Sequence, residues 1–203
     1  MNEVSVLFAI LLEMKKTINF QEIHWIQKPD RYIQRDDCLV IETQPHTMLR
    51  PYGRNGAEAV ELSVNPKGNF HFTVRTDFEY RKAFDQCGIL LYNDNVRKAV
   101  IGVEKRDGSI SKLSSIVFHK DGNDRCEREI GSSIQWMYYR VWVRGDIARI
   151  QYSFNGQRYS DFRQFSFQNH NDIRIGFYAC SPLDSYFDCR FSEMILSDEE
   201  EET

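Results

Sequence analysis

The sequence is poor in the features that mark secreted, membrane-spanning and nucleic-acid-binding proteins. Its five cysteines are odd in number and form no C-x-x-C pair, which argues against a disulfide framework. No apolar run approaches the ~20 residues that a membrane-spanning helix needs. The 26 Lys and Arg residues are outnumbered by 30 Asp and Glu residues, so the basic excess that attracts nucleic acid or an anionic membrane is missing. We expect a cytoplasmic protein that binds neither nucleic acid nor a membrane. Its thiols should be reduced and mostly buried; a Cys180–Cys189 disulfide bridge is the alternative.

Two terminal segments differ in composition from the rest of the chain. Residues 1–16 contain the apolar run VSVLFAILL, which lacks the preceding basic residues and the cleavage site of a signal peptide. They form either a short element that packs on the domain, or a non-native stretch before a natural start at Met14. Residues 198–203 are an acidic tail, and without its five acids the remaining 25 face 26 basic residues. The expected domain is therefore 17–197.

The stretch between these termini is rich in aromatic residues and in short alternating patterns. Fourteen Phe, ten Tyr and three Trp favour sheets. Alternation with a period of two predicts about ten strands, at 38–43, 69–78, 87–92, 99–104, 113–119, 136–144, 148–154, 162–167, 173–179 and 187–196. The only helix candidate is 3–13. The pattern predicts an all-β fold, a two-sheet β-sandwich of the jelly-roll type.

Turn and glycine positions refine this prediction. Gly145-Asp146 and Asn155-Gly156 each separate two strand-like runs, and Asn-Gly is a strong signal for a two-residue hairpin turn. Gly88 and Gly102 lie inside strand-like runs. A glycine there marks a bulge or a place where another group packs against bare backbone. We interpret the two glycines as clearing space beneath a groove.

Four segments resemble a known family. They are 85–90 (DQCGIL), 102–104 (GVE), 152–156 (YSFNG) and 178–182 (YACSP). In this order and spacing, the chain resembles the DUF1349 family over roughly residues 20–196. The resemblance implies the concanavalin A-like lectin/glucanase fold, and it implies no settled biochemical activity. Val100 and Lys98 stand where typical members carry Lys and Trp, so a ligand site inherited from the family would be altered here.

Patterns that would support catalysis or metal binding are weak. The E-x-D-x-x-E run expected of a two-carboxylate glycosidase on this fold is missing, and Asp85 with Glu104 is the best remaining carboxylate pair. The five histidines stand singly, so no zinc site is predicted. The acidic run at 121–124 (DGND) is better explained as a polar turn than as a calcium site. We assign no catalytic residue, no metal and no cofactor.

A polar and aromatic face is the strongest candidate for a functional site. Eight side chains fall on, or next to, the side of their strands that faces away from the core: Gln86, Tyr92, Glu104, Arg140, Trp142, Arg144, Arg163 and Tyr178. On a concave sheet they would meet in one groove, where aromatic rings stack on sugar faces and Arg, Gln and Glu side chains hydrogen-bond hydroxyls. A solvated face, with arginine stems covering the aromatic rings, is the alternative.

Three functions are considered, in order of preference. The first is a non-catalytic binding module that recognises a carbohydrate or a sugar-derived ligand, such as a sugar phosphate, on its concave face. The second is a protein-interaction or regulatory domain that acts on a metabolic enzyme, which the family resemblance also implies. The third is a glycoside hydrolase or lyase, which the missing carboxylate pattern disfavours.

Overall fold

The structure, a computed structural model, describes residues 15–49, 58–62, 69–93, 98–119, 122–167 and 173–198. Over these ranges the secondary structure consists of one short 3₁₀ helix, Phe20–Glu22, and fifteen β-strands. The strands are β1 Lys15–Thr17, β2 Ile23–Trp25, β3 Arg31–Gln34, β4 Cys38–Glu42, β5 Glu58–Leu62, β6 Phe70–Phe78, β7 Gln86–Tyr92, β8 Lys98–Lys105, β9 Ile110–His119, β10 Gly122–Gly131, β11 Trp136–Arg144, β12 Ile147–Ser153, β13 Ser160–Ser166, β14 Arg174–Cys180 and β15 Asp188–Asp198. Within the same ranges, no helix is long and apolar enough to cross a bilayer.

The strands form two antiparallel sheets. Sheet A has the order β13-β12-β11-β6-β15-β4-β3, and β1 also pairs with β15. Sheet B has the order β10-β9-β8-β7-β14-β5-β2. The last two strands of the chain lie inside the sheets, with β15 between β6 and β4 and β14 between β7 and β5. This is the all-β, two-sheet jelly-roll sandwich that the sequence predicts.

The core lies between the two sheets because successive side chains of a strand point to opposite faces. In β11, the fully buried residues are Met137, Tyr139, Val141 and Val143. The two sheets meet through aromatic contacts, such as the rings of Phe177 in β14 and Phe191 in β15, whose centres are 4.4 Å apart. Burial of this alternating apolar set is the main force that holds the sheets together.

An arginine closes one side of the sandwich, where β13 and β10 are the edge strands of their sheets. Arg163 of β13 pairs with the core residue Ile150, and its side chain is only 9% exposed. Its Nη2 lies 2.6 Å from Asp124 Oδ2, and its Nη1 donates to the Ser115 carbonyl at 3.3 Å. Arg163 therefore ties the edge of sheet A to the edge of sheet B.

All ten predicted strands correspond to observed strands, but several strands were not predicted. β10 is the clearest case, because a turn is predicted at 121–124 and the strand begins at Gly122. Nearly all of its side chains are exposed, so its sequence does not alternate between apolar and polar residues. An edge strand of this kind carries no periodic signal, and its charges discourage pairing with other chains.

The cysteines and the chain ends complete the comparison with the sequence. All five thiols are free. Cys189 belongs to the core, whereas Cys180 belongs to an apolar cluster on the outer face of sheet B, so the alternative of a bridge between them is wrong. Strand pairing extends from Lys15 to Asp198. The helix candidate at 3–13 lies outside the described residues, and the division into extension, domain and acidic tail stays a prediction.

Candidate functional site

The outer face of sheet A carries a row of aromatic and arginine side chains. The outward residues of β11 are Trp136, Tyr138, Arg140, Trp142 and Arg144. They share this face because they alternate with the buried residues of the same strand. A tight turn at Gly145, whose φ is 52°, returns the chain as β12. This turn places Arg149 directly opposite Trp142 and Ile147 opposite Arg144.

A groove of about 280 Å³ opens on this face. It is lined by Trp142, Arg144, Ile147, Arg149 and Gln164. The lining comes from three adjacent strands, because Gln164 of β13 lies opposite Arg149 of β12. An aromatic ring, an aliphatic side chain and several hydrogen-bonding groups are the usual lining of a small-molecule site.

A hydrogen-bond network connects Trp142 and Arg149 of the groove lining through Gln151 and Asp161. Trp142 Nε1 donates to Gln151 Oε1 at 3.0 Å, and Gln151 Nε2 donates to Asp161 Oδ1 at 2.9 Å. Arg149 donates to both oxygens of Asp161, from Nε at 2.9 Å and from Nη2 at 2.7 Å. The hydrogen bond with Arg149 lowers the pKa of Asp161, and the same bond raises the pKa of Arg149. The indole and the guanidinium are thus oriented before any ligand arrives.

A third arginine, Arg140, lies beside the groove, in addition to Arg144 and Arg149 in its lining. The Arg140 guanidinium lies 3.7 Å from the centre of the Tyr159 ring, and its Nε donates to Thr73 Oγ1 at 3.3 Å. The guanidinium carbons of Arg140 and Arg144 lie 5.9 and 5.5 Å from the centre of the Trp142 ring. Burial raises the pKa of Tyr159, against the opposing effect of Arg140. Cationic and aromatic groups therefore alternate around Trp142, an arrangement that cation–π attraction stabilises.

The outer face of sheet B carries a network of five charged side chains. Glu104, whose side chain is 9% exposed, lies 2.7 Å from Arg106 and 3.6 Å from Arg125. Glu127 lies 2.5 Å from Arg125 and 2.6 Å from Lys112. Burial raises the pKa of the Glu104 carboxyl, although Arg106 and Arg125 oppose the shift. The hydrogen bond from Lys112 lowers the pKa of Glu127. These charges largely satisfy one another.

Tyr178 lies over two glycines on the same outer face. Gly88 pairs with both Gly102 and Tyr178, and the Tyr178 hydroxyl lies 2.5 Å from where a Cβ on Gly102 would stand. A Cβ on Gly88 would stand 1.9 Å from the Ile101 carbonyl oxygen. Tyr178 is buried in an apolar cluster, against which Leu49 packs, together with Leu90, Tyr92, Val100, Phe118 and Cys180. The predicted close approach at the glycines is therefore found, but the group that approaches is Tyr178 and the neighbouring strand.

The eight predicted site residues occupy three places, so the expectation of one shared face is wrong. The outer face of sheet B holds Gln86, Tyr92, Glu104 and Tyr178. The outer face of sheet A holds Arg140, Trp142 and Arg144. The edge between the sheets holds Arg163. Alternation along a strand shows which residues face away from the core, but it does not show to which sheet the strand belongs. Ligand-binding roles for the eight residues stay predictions.

The carboxylate pair singled out from the sequence contains one structural residue. Asp85 is fully buried, and its Oδ2 accepts from the backbone N–H groups of Arg81 and Lys82, each at 2.9 Å. Ser185 Oγ donates to the same oxygen at 3.0 Å. Asp85 thus joins the loop before β7 to the loop before β15. In the described ranges, no three His, Cys, Asp or Glu side chains converge as metal ligands.

Several residues of the groove and of its hydrogen-bond network are missing from the sequence-based set. The lining residues among them are Ile147, Arg149 and Gln164, and the residues that hydrogen-bond to the lining are Gln151 and Asp161. A signal for the β12 members exists in the sequence. A two-residue turn at Gly145-Asp146 fixes the register of its hairpin, so that Trp142 must face Arg149. The β13 members carry no comparable signal, because a register shift between Ile150 and Gln151 interrupts the β12–β13 pairing.

Comparison with known sequences identifies the family. A family profile described as "Protein of unknown function (DUF1349)" matches residues 25–199. The chain belongs to the DUF1349 family. Another relative is "Regulation of enolase protein 1" of Saccharomyces cerevisiae, which is 26% identical over 190 residues, covering 92% of this chain and 94% of that protein. The DUF1349 resemblance drawn from four short segments is thus confirmed.

Solved structures share the two-sheet fold of this chain. A functionally unknown protein from Saccharomyces cerevisiae superposes with a TM-score of 0.78 at 25% identity, over 90% of this chain and 99% of that chain. The GH43 protein BlXynB from Bacillus licheniformis superposes with a TM-score of 0.71 at 12% identity, over 88% of this chain. This chain spans only 37% of the BlXynB chain. At that identity, the likeness to the GH43 protein shows the fold alone.

Proposed function

We propose that this DUF1349 protein is a non-catalytic, cytoplasmic binding module, and that it recognises a carbohydrate or a sugar-derived ligand on the outer face of sheet A. The groove beside Trp142 is the observation that carries the proposal. It combines an indole ring with arginine and glutamine side chains on three adjacent strands. Aromatic rings stack on the apolar face of a sugar, while guanidinium and amide groups hydrogen-bond its hydroxyls. Five free thiols support a reducing compartment.

The oriented state of the groove also supports this function. Trp142 is bonded to Gln151, and Arg149 holds both oxygens of Asp161. Because these side chains are already ordered, a ligand loses less binding energy to side-chain immobilisation. The aromatic residues of sheet B are less suited to the role, since Tyr178 is 1% exposed. The proposal therefore places the ligand on sheet A and treats the sheet B aromatics as packing.

A mono- and oligosaccharide screen by thermal shift, followed by calorimetric titration, tests the proposal. We expect a sugar ligand whose affinity falls roughly tenfold or more in Trp142→Ala, because stacking and burial of an aromatic side chain are lost. Trp136→Ala is the matched control, since Trp136 is the same residue type on the same face of the same strand and lies outside the groove lining. Its affinity should stay close to that of the wild type. Equal affinities in Trp142→Ala and the wild type would refute the location.

A protein-interaction domain that regulates a metabolic enzyme is the second candidate. The 26% identity to "Regulation of enolase protein 1", over nearly the full length of both proteins, is the observation that favours it. The test is direct binding of the purified chain to enolase from the same organism, measured by interferometry with and without the sugar panel. A stable complex in the absence of any sugar ligand would favour this candidate over the carbohydrate module.

A further inference from the structure

The charge of the groove lining is one-sided. Of the five lining residues, two are arginines and none is acidic. Asp161 stands beside the lining and accepts from Arg149 Nε and Nη2. A guanidinium has five N–H donors, so this bidentate contact leaves others available to a ligand. Asp161 therefore fixes the position of the Arg149 guanidinium but occupies only part of its N–H donors.

Arg140 adds a positive charge on the other side of Trp142. Its bonded partners in the described ranges are the neutral Thr73 hydroxyl and the Tyr159 ring, and no described carboxylate pairs with it. Asp161 and the turn residue Asp146 are the acidic groups on the strands and turn that form this end of the face. The three arginines Arg140, Arg144 and Arg149 outnumber these two aspartates, so the surroundings of the Trp142 ring carry an excess of positive charge. Arginine is the side chain best suited to bind planar carboxylate and phosphate groups.

We infer that the groove prefers a sugar that carries an anionic group, a carboxylate or a phosphate, over the corresponding neutral sugar. This inference rests on the proposed carbohydrate-binding function. The sugar ring lies against Trp142, and its anionic group faces the free N–H donors of Arg149 on β12 or the guanidinium of Arg140 on β11. Both anions accept charge-assisted hydrogen bonds from a guanidinium, so the geometry specifies the charge and the ring but leaves the kind of anion to experiment.

Matched ligands test the inference by calorimetric titration. The probes are glucose, galactose and mannose, each with its uronate and its 6-phosphate. We expect at least one anionic member to bind roughly tenfold or more tightly than its neutral sugar at low salt, since hydrogen bonds to charged groups are the stronger kind. The advantage should shrink as sodium chloride is added, because the groove is open to solvent and salt screens its charges. Which anion binds distinguishes a sugar acid from a sugar phosphate.

Two substitutions assign the preference to residues. Arg149→Gln and Arg140→Gln should each lower the affinity for the anionic sugar more than the affinity for the neutral sugar, and so remove most of the advantage of the anionic sugar. Arg31→Gln is the matched control, because Arg31 also pairs with a carboxylate, Glu42, on sheet A but lies on the far edge strand β3. If Arg140→Gln proves poorly folded, Arg149→Gln carries the test, since Arg149 lies at the surface with 49% of its side chain exposed.

The outcomes separate this inference from the proposed function. Equal affinity for neutral and anionic sugars would overturn the inference and leave the carbohydrate module standing. Binding of no sugar in the panel, with or without an anionic group, would contradict both. An anionic preference that survives both Arg149→Gln and Arg140→Gln would show that the preference arises elsewhere, and would overturn the assignment to this groove.

Discussion

The two outer faces of the sandwich have similar compositions and opposite organisations. Both combine aromatic, arginine and glutamine side chains. On sheet B, the aromatic residues are covered, as Tyr178 and Tyr92 are only 1% and 9% exposed, and the charged residues pair with one another. On sheet A, Trp142 and Arg149 line an open groove. The presence of aromatic and charged residues on a sheet face is therefore not enough to indicate a ligand site; what matters is whether the chain itself already covers them.

The cause of the difference is the close packing around Tyr178. Two paired glycines let its ring lie against the sheet, and Leu49 packs on the cluster that surrounds it. The outward residues of β11 lie on a sheet without such a glycine pair, where Trp142 is flanked by arginines and His71. We therefore expect substitutions on the sheet B face to lower the free energy of unfolding, and substitutions in the sheet A groove to lower affinity with little effect on folding.

The largest expected effect separates the two aromatic side chains. Tyr178→Ala should lower the free energy of unfolding by ~3–5 kcal/mol, because it removes a fully buried ring from the cluster. Trp142→Ala should cost only ~1 kcal/mol, the ordinary cost of a partly exposed substitution. Urea unfolding followed by circular dichroism measures both. Similar costs for the two variants would contradict the contrast between the faces.

A smaller effect is expected at the glycines. Gly88→Ala should cost ~3 kcal/mol, because its Cβ would stand 1.9 Å from a backbone oxygen that cannot move aside. Gly131→Ala is the control: its Cβ would meet only the Ser133 hydroxyl at 3.6 Å, so the change should stay within ~0.5 kcal/mol. Denaturant titration of both variants gives the comparison. A tolerated Gly88→Ala would mean that β7 and β8 can separate at this point.

Two arginines in neighbouring strands sharpen the contrast further. Arg163→Ala should cost ~2 kcal/mol, since it removes packing and leaves the Ser115 carbonyl and Asp124 without their donor. Arg149→Ala should leave the unfolding midpoint unchanged, because its pair with Asp161 is exposed at the surface. Thermal and urea melts of the two variants provide the test. A lower midpoint in Arg149→Ala would mean that the groove network also supports the fold.

The smallest effect concerns pH and Glu104. Burial raises the pKa of this carboxyl in the folded protein above its ordinary 4.5. The folded state therefore holds the proton more tightly than the unfolded state, and the contribution of Glu104 to stability declines as the pH rises from 4.5 through the raised value. Glu104→Gln should show a weaker decline than the wild type as the pH rises above 4.5. A steeper decline in Glu104→Gln would reverse the sign of this linkage.

Much of the fold was predictable, because period-two alternation depends only on local sequence. The pattern at 136–144 correctly separates Met137 and Val141 from Arg140 and Trp142. Sheet membership is different, because it depends on which distant strands pair. The sequence therefore placed Gln86 and Trp142 on one face, although β7 and β11 belong to different sheets.

Arg163 shows a second reason why the site could not be fully predicted from the sequence. Asp161 pairs with the outward Gln151, whereas Arg163, two residues later, pairs with the inward Ile150. In a regular strand, residues two apart share a face, so a register shift reverses the expected side. Residue 162 is neither a glycine nor another residue typical of turns, so the sequence does not indicate the register shift. The groove residues on β13 were missed for the same reason.

The central position of the last two strands has a consequence for how the protein is made. β14 and β15 complete the interior of their sheets, so until they arrive β7 and β5 lack a shared neighbour, as do β6 and β4. Chains leave the ribosome N-terminus first at ~5–20 residues per second. For this protein, the earlier strands would wait several seconds with open hydrogen-bonding edges, the kind of exposure that recruits chaperones and promotes aggregation. Loss of β15 should therefore not yield a smaller folded domain, because it would split sheet A into two separate fragments, β13-β12-β11-β6 and β4-β3.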